Sequence, residues 1–164
     1  MDLIFWRHAD AQEVPAHDPG EPLKQDLGSE DLARCLTAKG HKQAARMGAW
    51  LDRHLTDQAR ILVSPAMRCE QTAVHLGRKY KVCPELAPWA GVDDLLGLVH
   101  WPDNKLPVVV LGHQPTLGQT VNRLLGFGGI DTSFRKGAIW WLRSREREGK
   151  MQTLVVTVQS PDFV

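Results

Sequence analysis

The sequence contains no long hydrophobic run, which argues against a membrane protein. No apolar stretch among its 164 residues approaches the roughly 20 that a membrane-spanning helix needs. Asp2 stands where a secretory signal would carry positive charge, and the first apolar run is shorter than the core of such a signal. We therefore expect no membrane association and a cytoplasmic location.

An excess of one charge is also missing. Twenty Lys and Arg residues face 19 Asp and Glu residues, so the net charge is +1 at pH 7. Proteins that bind nucleic acids usually carry a basic surface, and the near-neutral balance argues against that class. The six tryptophans are better explained by core and strand packing than by a platform for stacked bases.

Cysteine is scarce, and its spacing excludes a further class of enzyme. Cys35, Cys69 and Cys83 are odd in number and lack the spacing of metal ligands, so reduced thiols are the simplest interpretation. A cysteine phosphatase requires an Arg at the sixth position after its Cys. The residues at that position are His41, His75 and Trp89. The sequence also lacks the Gly-x-x-x-x-Gly-Lys loop of nucleotide kinases.

The apolar residues that are present alternate between strand-like and helix-like segments. Hydrophobic and charged contents of 43% and 24% are typical of a globular protein, and we expect one domain over residues 1–164. Two late strands around a polar turn predict an antiparallel hairpin. The order is typical of an α/β fold with a largely parallel sheet. The predicted strands cover 3–6, 61–63, 108–111, 138–142 and 154–158, and the predicted helices cover 37–54, 64–79, 92–99 and 116–125.

Local signals mark the starts of two helices and one long connection. Thr37 is a suitable N-cap, and Ser64 followed by Pro65 resembles a cap and a first-turn proline. Residues 10–30 are polar and contain several prolines and glycines, which predicts a long loop. Loops of this length in compact domains are usually functional or mobile.

Cationic side chains follow the predicted parallel strands at the points where each strand ends. Arg7 and His8 end the first strand, Arg68 lies in the first turn of the helix after the second, and Gly112-His113 end the third. The carboxyl ends of parallel strands meet at one edge of the sheet, where α/β proteins bind their ligands. Two guanidinium groups, two imidazoles and helix N-termini suit a tetrahedral oxyanion such as phosphate.

Each of these residues also has a simpler interpretation. Arg68 alone could be a surface cation, and His113 alone could be a turn residue whose ring bonds the backbone. The pairs His8 with Asp10 and His17 with Asp18 could suggest a metal, but no third ligand stands at a suitable spacing. We therefore expect neither a metal nor a cofactor.

Four motifs stand in a recognisable order and spacing along the chain. They are Arg7-His8, Arg34-Cys35-Leu36-Thr37-Ala38-Lys39-Gly40 with Gln43-Ala44, Ser64-Pro65-Ala66-Met67-Arg68-Cys69-Glu70-Gln71-Thr72-Ala73, and Gly112-His113-Gln114-Pro115. With these motifs the sequence resembles the histidine phosphatase superfamily, and within it the short branch of bacterial phosphohistidine phosphatases, the SixA family. The resemblance implies a phosphoglycerate mutase-like fold, a three-layer α/β/α sandwich.

The resemblance implies a role for each matching residue. His8 is the implied nucleophile, which forms a phosphohistidine intermediate, and Arg7, Arg68 and His113 are the implied phosphate clamp. Arg34 matches a further oxyanion contact of the short branch. The arginine charges should also disfavour protonation of the His8 ring. Ala9 departs from the glycine of the usual Arg-His-Gly motif, which bears on how closely the backbone can approach the ligand.

The leaving group separates the possible substrates. A phosphate ester needs a general acid, which longer members of the superfamily supply as a carboxylate after the third strand. Glu85 is the weak candidate here, with Asp93 and Asp94 in the same segment. Phosphohistidine needs no such acid, because protonated imidazole departs readily. The segment is also too short to build the helical lid of the longer members.

These observations favour a phosphatase that acts on phosphohistidine in a phosphorylated partner protein. Two alternatives stay open. The same residues could serve a general small-molecule phosphomonoesterase, or the chain could be a non-catalytic module that binds phosphorylated partners. The sequence does not indicate an oligomeric state, and it does not reveal whether the loop 10–30 closes over the site.

Overall fold

A single mixed sheet organises the protein. The computed structural model describes residues 1–14, 27–129 and 131–164. Within these ranges the strands are β1 Asp2–Arg7, β2 Arg60–Val63, β3 Lys81–Val82, β4 Val108–Gly112, β5 Ile139–Arg147 and β6 Lys150–Gln159. They pair in the order β3-β2-β4-β1-β5-β6. Strands β1 to β4 are parallel to one another, and β5 pairs antiparallel with both β1 and β6.

Helices cover both faces of this sheet. The helices are α1 Leu27–Leu32, α2 Ala38–His54, α3 Met67–Val74, α4 Val92–Val99 and α5 Thr116–Leu125, with a short 3-10 turn at Pro84–Leu86. Ile4 and Trp6 of β1 pack in the cluster formed with α2 and α3, whereas Leu3 and Phe5 pack with α4 and α5. Alternate residues of a strand point to opposite faces, so a strand buried on both sides is continuously apolar. The predicted three-layer α/β/α sandwich is confirmed.

The register of the parallel strands brings the predicted site residues to one edge. Arg7 at the end of β1 pairs with Gly112 at the end of β4, and Val63 of β2 pairs with Leu111. The next residue on each strand therefore lies at the same edge. Backbone hydrogen bonds from His8 N to Gly112 O (3.2 Å) and from Ser64 N to Leu111 O (3.0 Å) extend the pairing past the strand ends.

The predicted start of the helix that follows β2 is wrong. Ala66 is the N-cap of α3, which ends at Val74, so the helix is shorter than the predicted 64–79. The Ser64 hydroxyl accepts a hydrogen bond from Ala66 N at 3.2 Å, ahead of the helix. At the other end Gly77 adopts a left-handed φ of 72°, which a continuing helix cannot accommodate.

The hairpin is longer than its apolar residues suggest. β5 and β6 continue through the segment predicted as a polar turn, 143–150, and only Glu148 and Gly149 connect them. Both residues have left-handed φ, 53° and 73°, as a two-residue hairpin turn requires. Backbone pairing with β6 continues through this part of the ribbon, so many of its side chains can be charged.

The first predicted loop is only partly described. Helix α1 begins at Leu27, so the end of the predicted loop 10–30 is helical and the prediction is wrong there. Residues 15–26 lie outside the described residues. No helix of the described ranges is both long enough and apolar enough to cross a bilayer.

Candidate active site

His8 lies directly beyond the end of β1, and its ring is fixed by a backbone carbonyl of the next residue. Its side chain is 7% exposed. The ring nitrogen Nδ1 lies 2.8 Å from the carbonyl oxygen of Ala9. A carbonyl can only accept, so Nδ1 carries the proton and Nε2 keeps its lone pair. The ring is therefore held in the tautomer that a nucleophilic imidazole requires.

The surroundings of His8 keep its ring uncharged at neutral pH. Burial is the main cause that lowers the pKa of His8 from 6.5 to about 3, and the positive charges of Arg68, Arg7 and Arg34 contribute to the same shift. The expected effect of the arginines is present, but loss of solvation is the larger cause. A neutral ring with a free Nε2 can attack an electrophile.

Two arginines of the predicted clamp approach this ring from different elements. Arg7 Nη1 donates to the carbonyl oxygen of Phe134, and burial lowers its pKa although the guanidinium stays protonated. Arg68, in the first turn of α3, is only 3% exposed. The Nε atoms of both arginines are buried and have no hydrogen-bond partner in the structure. Buried, unsatisfied cationic donors are costly unless an anion approaches them.

His113 connects Arg68 to Ser64, the residue predicted to cap the next helix. Arg68 Nη2 lies 3.2 Å from His113 Nδ1, and a guanidinium can only donate, so Nδ1 is the acceptor. The proton of the neutral ring is then on Nε2, which lies 2.7 Å from Ser64 Oγ. Burial, then the neighbouring His8 and Arg68, lowers the pKa of His113 to about 2. The ring centroids of His8 and His113 are 5.2 Å apart.

Arg34 reaches the same place from the segment before α2. Its Nε donates to Gln12 O at 2.6 Å, and its Nη1 lies 2.9 Å from Asp31 Oδ1. The other carboxylate oxygen of Asp31 lies 3.0 Å from Arg68 Nη2. Burial by itself would raise the pKa of Asp31, but hydrogen bonds to Arg34 and Arg68 outweigh it and lower the pKa. Sequence reasoning missed Asp31, because it lies 37 positions from Arg68 with no local signal.

One cavity of about 360 Å³ is lined by all five predicted site residues, Arg7, His8, Arg34, Arg68 and His113. Two larger cavities, of about 530 and 550 Å³, are lined by none of these residues. Size is therefore a poor guide, and the convergence of cations and imidazoles identifies the site. Its walls also contain polar residues that the sequence analysis did not select, namely Glu13, Asp31, Gln114 and Lys136. Lys136 Nζ lies 2.7 Å from Asp10 Oδ1, so an ion pair anchors it at the cavity.

The other motif residues hold the backbone around the site. Thr37 Oγ1 caps α2 by accepting from Gly40 N at 3.0 Å, as predicted. Thr72 Oγ1 accepts from Ala9 N at 3.2 Å, and Gln43 Oε1 accepts from Asp10 N at 2.9 Å. A Cβ at Gly40 would lie 2.0 Å from the carbonyl oxygen of Asp10, so only glycine permits this approach.

Ala9 is accommodated without disturbing the site. Its side chain is fully buried in a small apolar cluster with Ala11, Leu36 and Ala44. The methyl group that departs from the glycine of the usual motif therefore packs into the core.

The candidate acids after β3 lie away from His8. Glu85 is exposed on the 3-10 turn and does not line the cavity. Asp93 pairs with Arg123, and Asp94 Oδ2 accepts from Gly91 N at 2.8 Å at the start of α4. None of these carboxylates is in place to protonate a leaving group beside His8.

The described residues contain no group of three or more His, Cys, Asp or Glu side chains that could hold a metal ion. Asp10 instead binds Thr37 Oγ1 at 2.7 Å as well as Lys136. His17 and Asp18, the other pair considered from the sequence, lie outside the described residues.

Fold and site together define an α/β protein that can hold a tetrahedral oxyanion beside a neutral histidine. A sequence model of the histidine phosphatase superfamily (branch 1) matches residues 3–94. The chain belongs to this superfamily of phosphatases.

SixA phosphohistidine phosphatases are among the proteins to which this chain is similar. The phosphohistidine phosphatase SixA of Escherichia coli is 29% identical over 132 residues, which cover 76% of this chain and 74% of that protein. A SixA homolog of Haemophilus influenzae is 28% identical over 142 residues, with 77% and 78% covered. A solved structure of the protein histidine phosphatase SixA complexed with tungstate superposes with a TM-score of 0.74 at 28% identity, covering 99% of this chain and 98% of that one.

Proposed function

We propose that this protein removes phosphoryl groups from phosphohistidine in a partner protein, through a covalent intermediate on His8. The observation that carries the proposal is a neutral His8 with Nε2 unprotonated, in one cavity with Arg7, Arg34 and Arg68. A site that only bound phosphate would need the cations but not an imidazole held in its nucleophilic tautomer. The similarity to SixA phosphatases supports the substrate class.

The first step transfers the phosphoryl group to His8. Nε2 attacks phosphorus, a new P–N bond forms, and the P–N bond to the substrate imidazole breaks. The electron pair of that bond leaves with the substrate ring, which takes its proton from solvent. Arg7 and Arg68 oppose the charge on the equatorial oxygens, which is the main requirement in phosphoryl transfer. His8 keeps the Nδ1 proton, and its bond to Ala9 O supports the positive charge that the ring acquires.

The second step hydrolyses the intermediate. Water attacks phosphorus, the bond from phosphorus to His8 Nε2 breaks, and the ring returns to neutrality as the water proton goes to solvent. Inorganic phosphate is released, and no redox partner is needed. We propose that no metal and no cofactor take part, since the arginines can supply the charge that a metal would otherwise provide.

The state of Asp31 supports phosphohistidine over an ester. Asp31 contacts Arg34 and Arg68, and these two guanidinium groups hold it as an anion with a lowered pKa. An acid that must donate a proton near neutral pH needs a raised pKa instead. Asp31 is therefore a poor proton donor, and imidazole is a leaving group that does not depend on one.

The decisive experiment compares two substrates at equal concentration. A histidine-phosphorylated protein domain and p-nitrophenyl phosphate are each hydrolysed by the parent enzyme, and kcat/KM is measured for both. We expect a clear preference for the phosphohistidine protein. A preference for the ester would refute the proposed substrate class.

One observation favours the ester alternative and can be tested separately. Glu13 lines the cavity and is exposed, so it is a carboxylate on which an esterase could rely. If the protein is a general phosphomonoesterase, Glu13→Gln should lower kcat for the ester by a hundredfold or more. If it acts on phosphohistidine, the same substitution should leave kcat nearly unchanged.

The partner and the compartment follow from the same chemistry. We propose a phosphorylated protein as the partner, because the cavity opens at residues exposed to solvent, among them Glu13. The three cysteines are free thiols, which supports a reducing cytoplasmic location.

A further inference from the structure

Asp31 binds the very arginines that the proposed function assigns to phosphate. Its Oδ1 lies 2.9 Å from Arg34 Nη1, and its Oδ2 lies 3.0 Å from Arg68 Nη2. The side chain of Arg68 is only 4% exposed, whereas that of Asp31 is 28% exposed. The carboxylate therefore lies on the solvent side of Arg68, at the cavity.

The carboxylate is not needed to hold either arginine in place. The backbone carbonyl of Asp31 accepts from Arg68 Nη1 at 2.6 Å, and His113 Nδ1 accepts from Arg68 Nη2 at 3.2 Å. Arg34 is fixed by its Nε bond to Gln12 O at 2.6 Å. All three contacts would survive the loss of the Asp31 side chain. What the carboxylate adds is a negative charge and the occupation of two guanidinium donors.

A phosphoryl group and a carboxylate cannot both use these donors. Each guanidinium has a fixed set of N–H groups, and two anions on the same cations repel each other. The Asp31 carboxylate can move away from the guanidinium donors by rotation about its own side-chain bonds, since the side chain is partly exposed and lines the cavity.

We propose that Asp31 is a competing anion built into the phosphate site, which an incoming phosphoryl group must displace from Arg34 and Arg68. The proposal rests on the proposed function, because it assumes that these arginines receive phosphate. It assigns Asp31 a role in binding and release, and none in the bond-breaking steps.

Competition of this kind weakens the binding of every phosphorylated ligand. A bound state that exists only after Asp31 has moved lowers the apparent affinity of every phosphate ligand by the same factor. Free phosphate has no other contacts with which to offset that loss, whereas a protein substrate gains contacts outside the cavity. Asp31 would therefore limit inhibition by inorganic phosphate and promote its release as product.

The test measures binding, so it does not depend on turnover. Inorganic phosphate and, separately, orthovanadate are titrated into the parent protein and into Asp31→Asn by isothermal calorimetry at pH 7.5. We expect both anions to bind Asp31→Asn about five- to tenfold more tightly, with a tenfold change equal to about 1.4 kcal/mol. Asp31→Ser should shift affinity in the same direction, and thermal unfolding checks that both variants are folded.

A matched control removes the same kind of ion pair elsewhere. Asp52 Oδ1 lies 2.6 Å from Arg78 Nε, and neither residue lines the cavity. Asp52→Asn should bind both anions as the parent does. A general effect of removing one negative charge would instead appear in this variant as well.

The possible results separate the inference from the proposed function. Tighter binding by Asp31→Asn and Asp31→Ser, but not by Asp52→Asn, supports the competing anion. Equal or weaker binding by the Asp31 variants overturns it, since a purely positioning carboxylate would weaken binding when removed. If the parent and every variant fail to bind either anion, the phosphate site itself is wrong and the proposed function falls with the inference.

Discussion

Replacing Arg68 by alanine removes the most buried cation at the site. The side chain is 4% exposed, and its guanidinium binds the Asp31 carbonyl through Nη1 and the Asp31 carboxylate and His113 through Nη2. In the proposed mechanism it opposes the charge that builds up on the phosphoryl oxygens. Loss of one such donor in a buried site costs about 2–4 kcal/mol of transition-state stabilisation.

This cost translates into a large kinetic effect. We expect kcat/KM of Arg68→Ala to fall by about 30- to 900-fold on a histidine-phosphorylated protein. Arg68→Lys should recover only part of the loss, because an ammonium keeps the positive charge but lacks the planar fork of guanidinium donors. The assay follows phosphate release at fixed protein concentration, after circular dichroism has shown that each variant is folded.

The control for this substitution is Arg78→Ala. Arg78 forms an ion pair with Asp52 and donates to the carbonyl of Thr56, away from the cavity. Its removal should affect thermal stability and leave kcat/KM unchanged. A rate for Arg68→Ala within tenfold of the parent would refute the role given to this arginine.

Four further predictions concern the pH dependence of activity, the pH dependence of stability, packing and inhibitors. Because the pKa of His8 is about 3, its protonation should not lower kcat/KM between about pH 5 and 8, and an imidazole titration of His8 by NMR near 6.5 would contradict this. Since the unfolded chain binds protons that native His8 and His113 exclude, stability should fall as the pH drops below about 6.5 toward 3, with a shallower slope in His113→Gln. Gly40→Ala should lower the free energy of unfolding by about 1–3 kcal/mol, because its Cβ would clash with Asp10 O. Gly97→Ala is the control, since its Cβ would lie in open space and the change should be neutral or stabilising. Equal melting temperatures for the two variants would contradict the packing argument. Orthovanadate should inhibit and EDTA should have no effect, and loss of activity with EDTA would point to a metal.

Much of the fold could be predicted because its elements have simple apolar patterns. The four buried residues of β1 and the apolar run of β4 identify strands covered on both faces, and α2 has a clear apolar period and the Thr37 N-cap. The extent of the hairpin could not be predicted. Its outer half contains several charged residues, and the backbone pairing that continues through it leaves no trace in composition.

The site was predictable to the extent that strand ends converge. Arg7, His8, Arg68 and His113 follow from strand topology, since parallel strands deliver their carboxyl ends to one edge. The hydroxyl of Ser64 could not be assigned, because Ser-Pro before a helix looks like a cap in any sequence. The place of Asp31 at the site could not be predicted for a different reason, because ion pairs between distant segments depend on tertiary packing.

The central claim is that His8 carries the phosphoryl group during turnover. Enzyme mixed with a histidine-phosphorylated protein and quenched in denaturant within milliseconds should contain an acid-labile phosphate on the peptide that includes His8. The phosphohistidine should be substituted at Nε2, because Nδ1 donates a hydrogen bond to Ala9 O. His8→Ala should be folded, inactive and free of this phosphate. Sustained turnover by His8→Ala, or an intermediate on any other residue, would contradict the account.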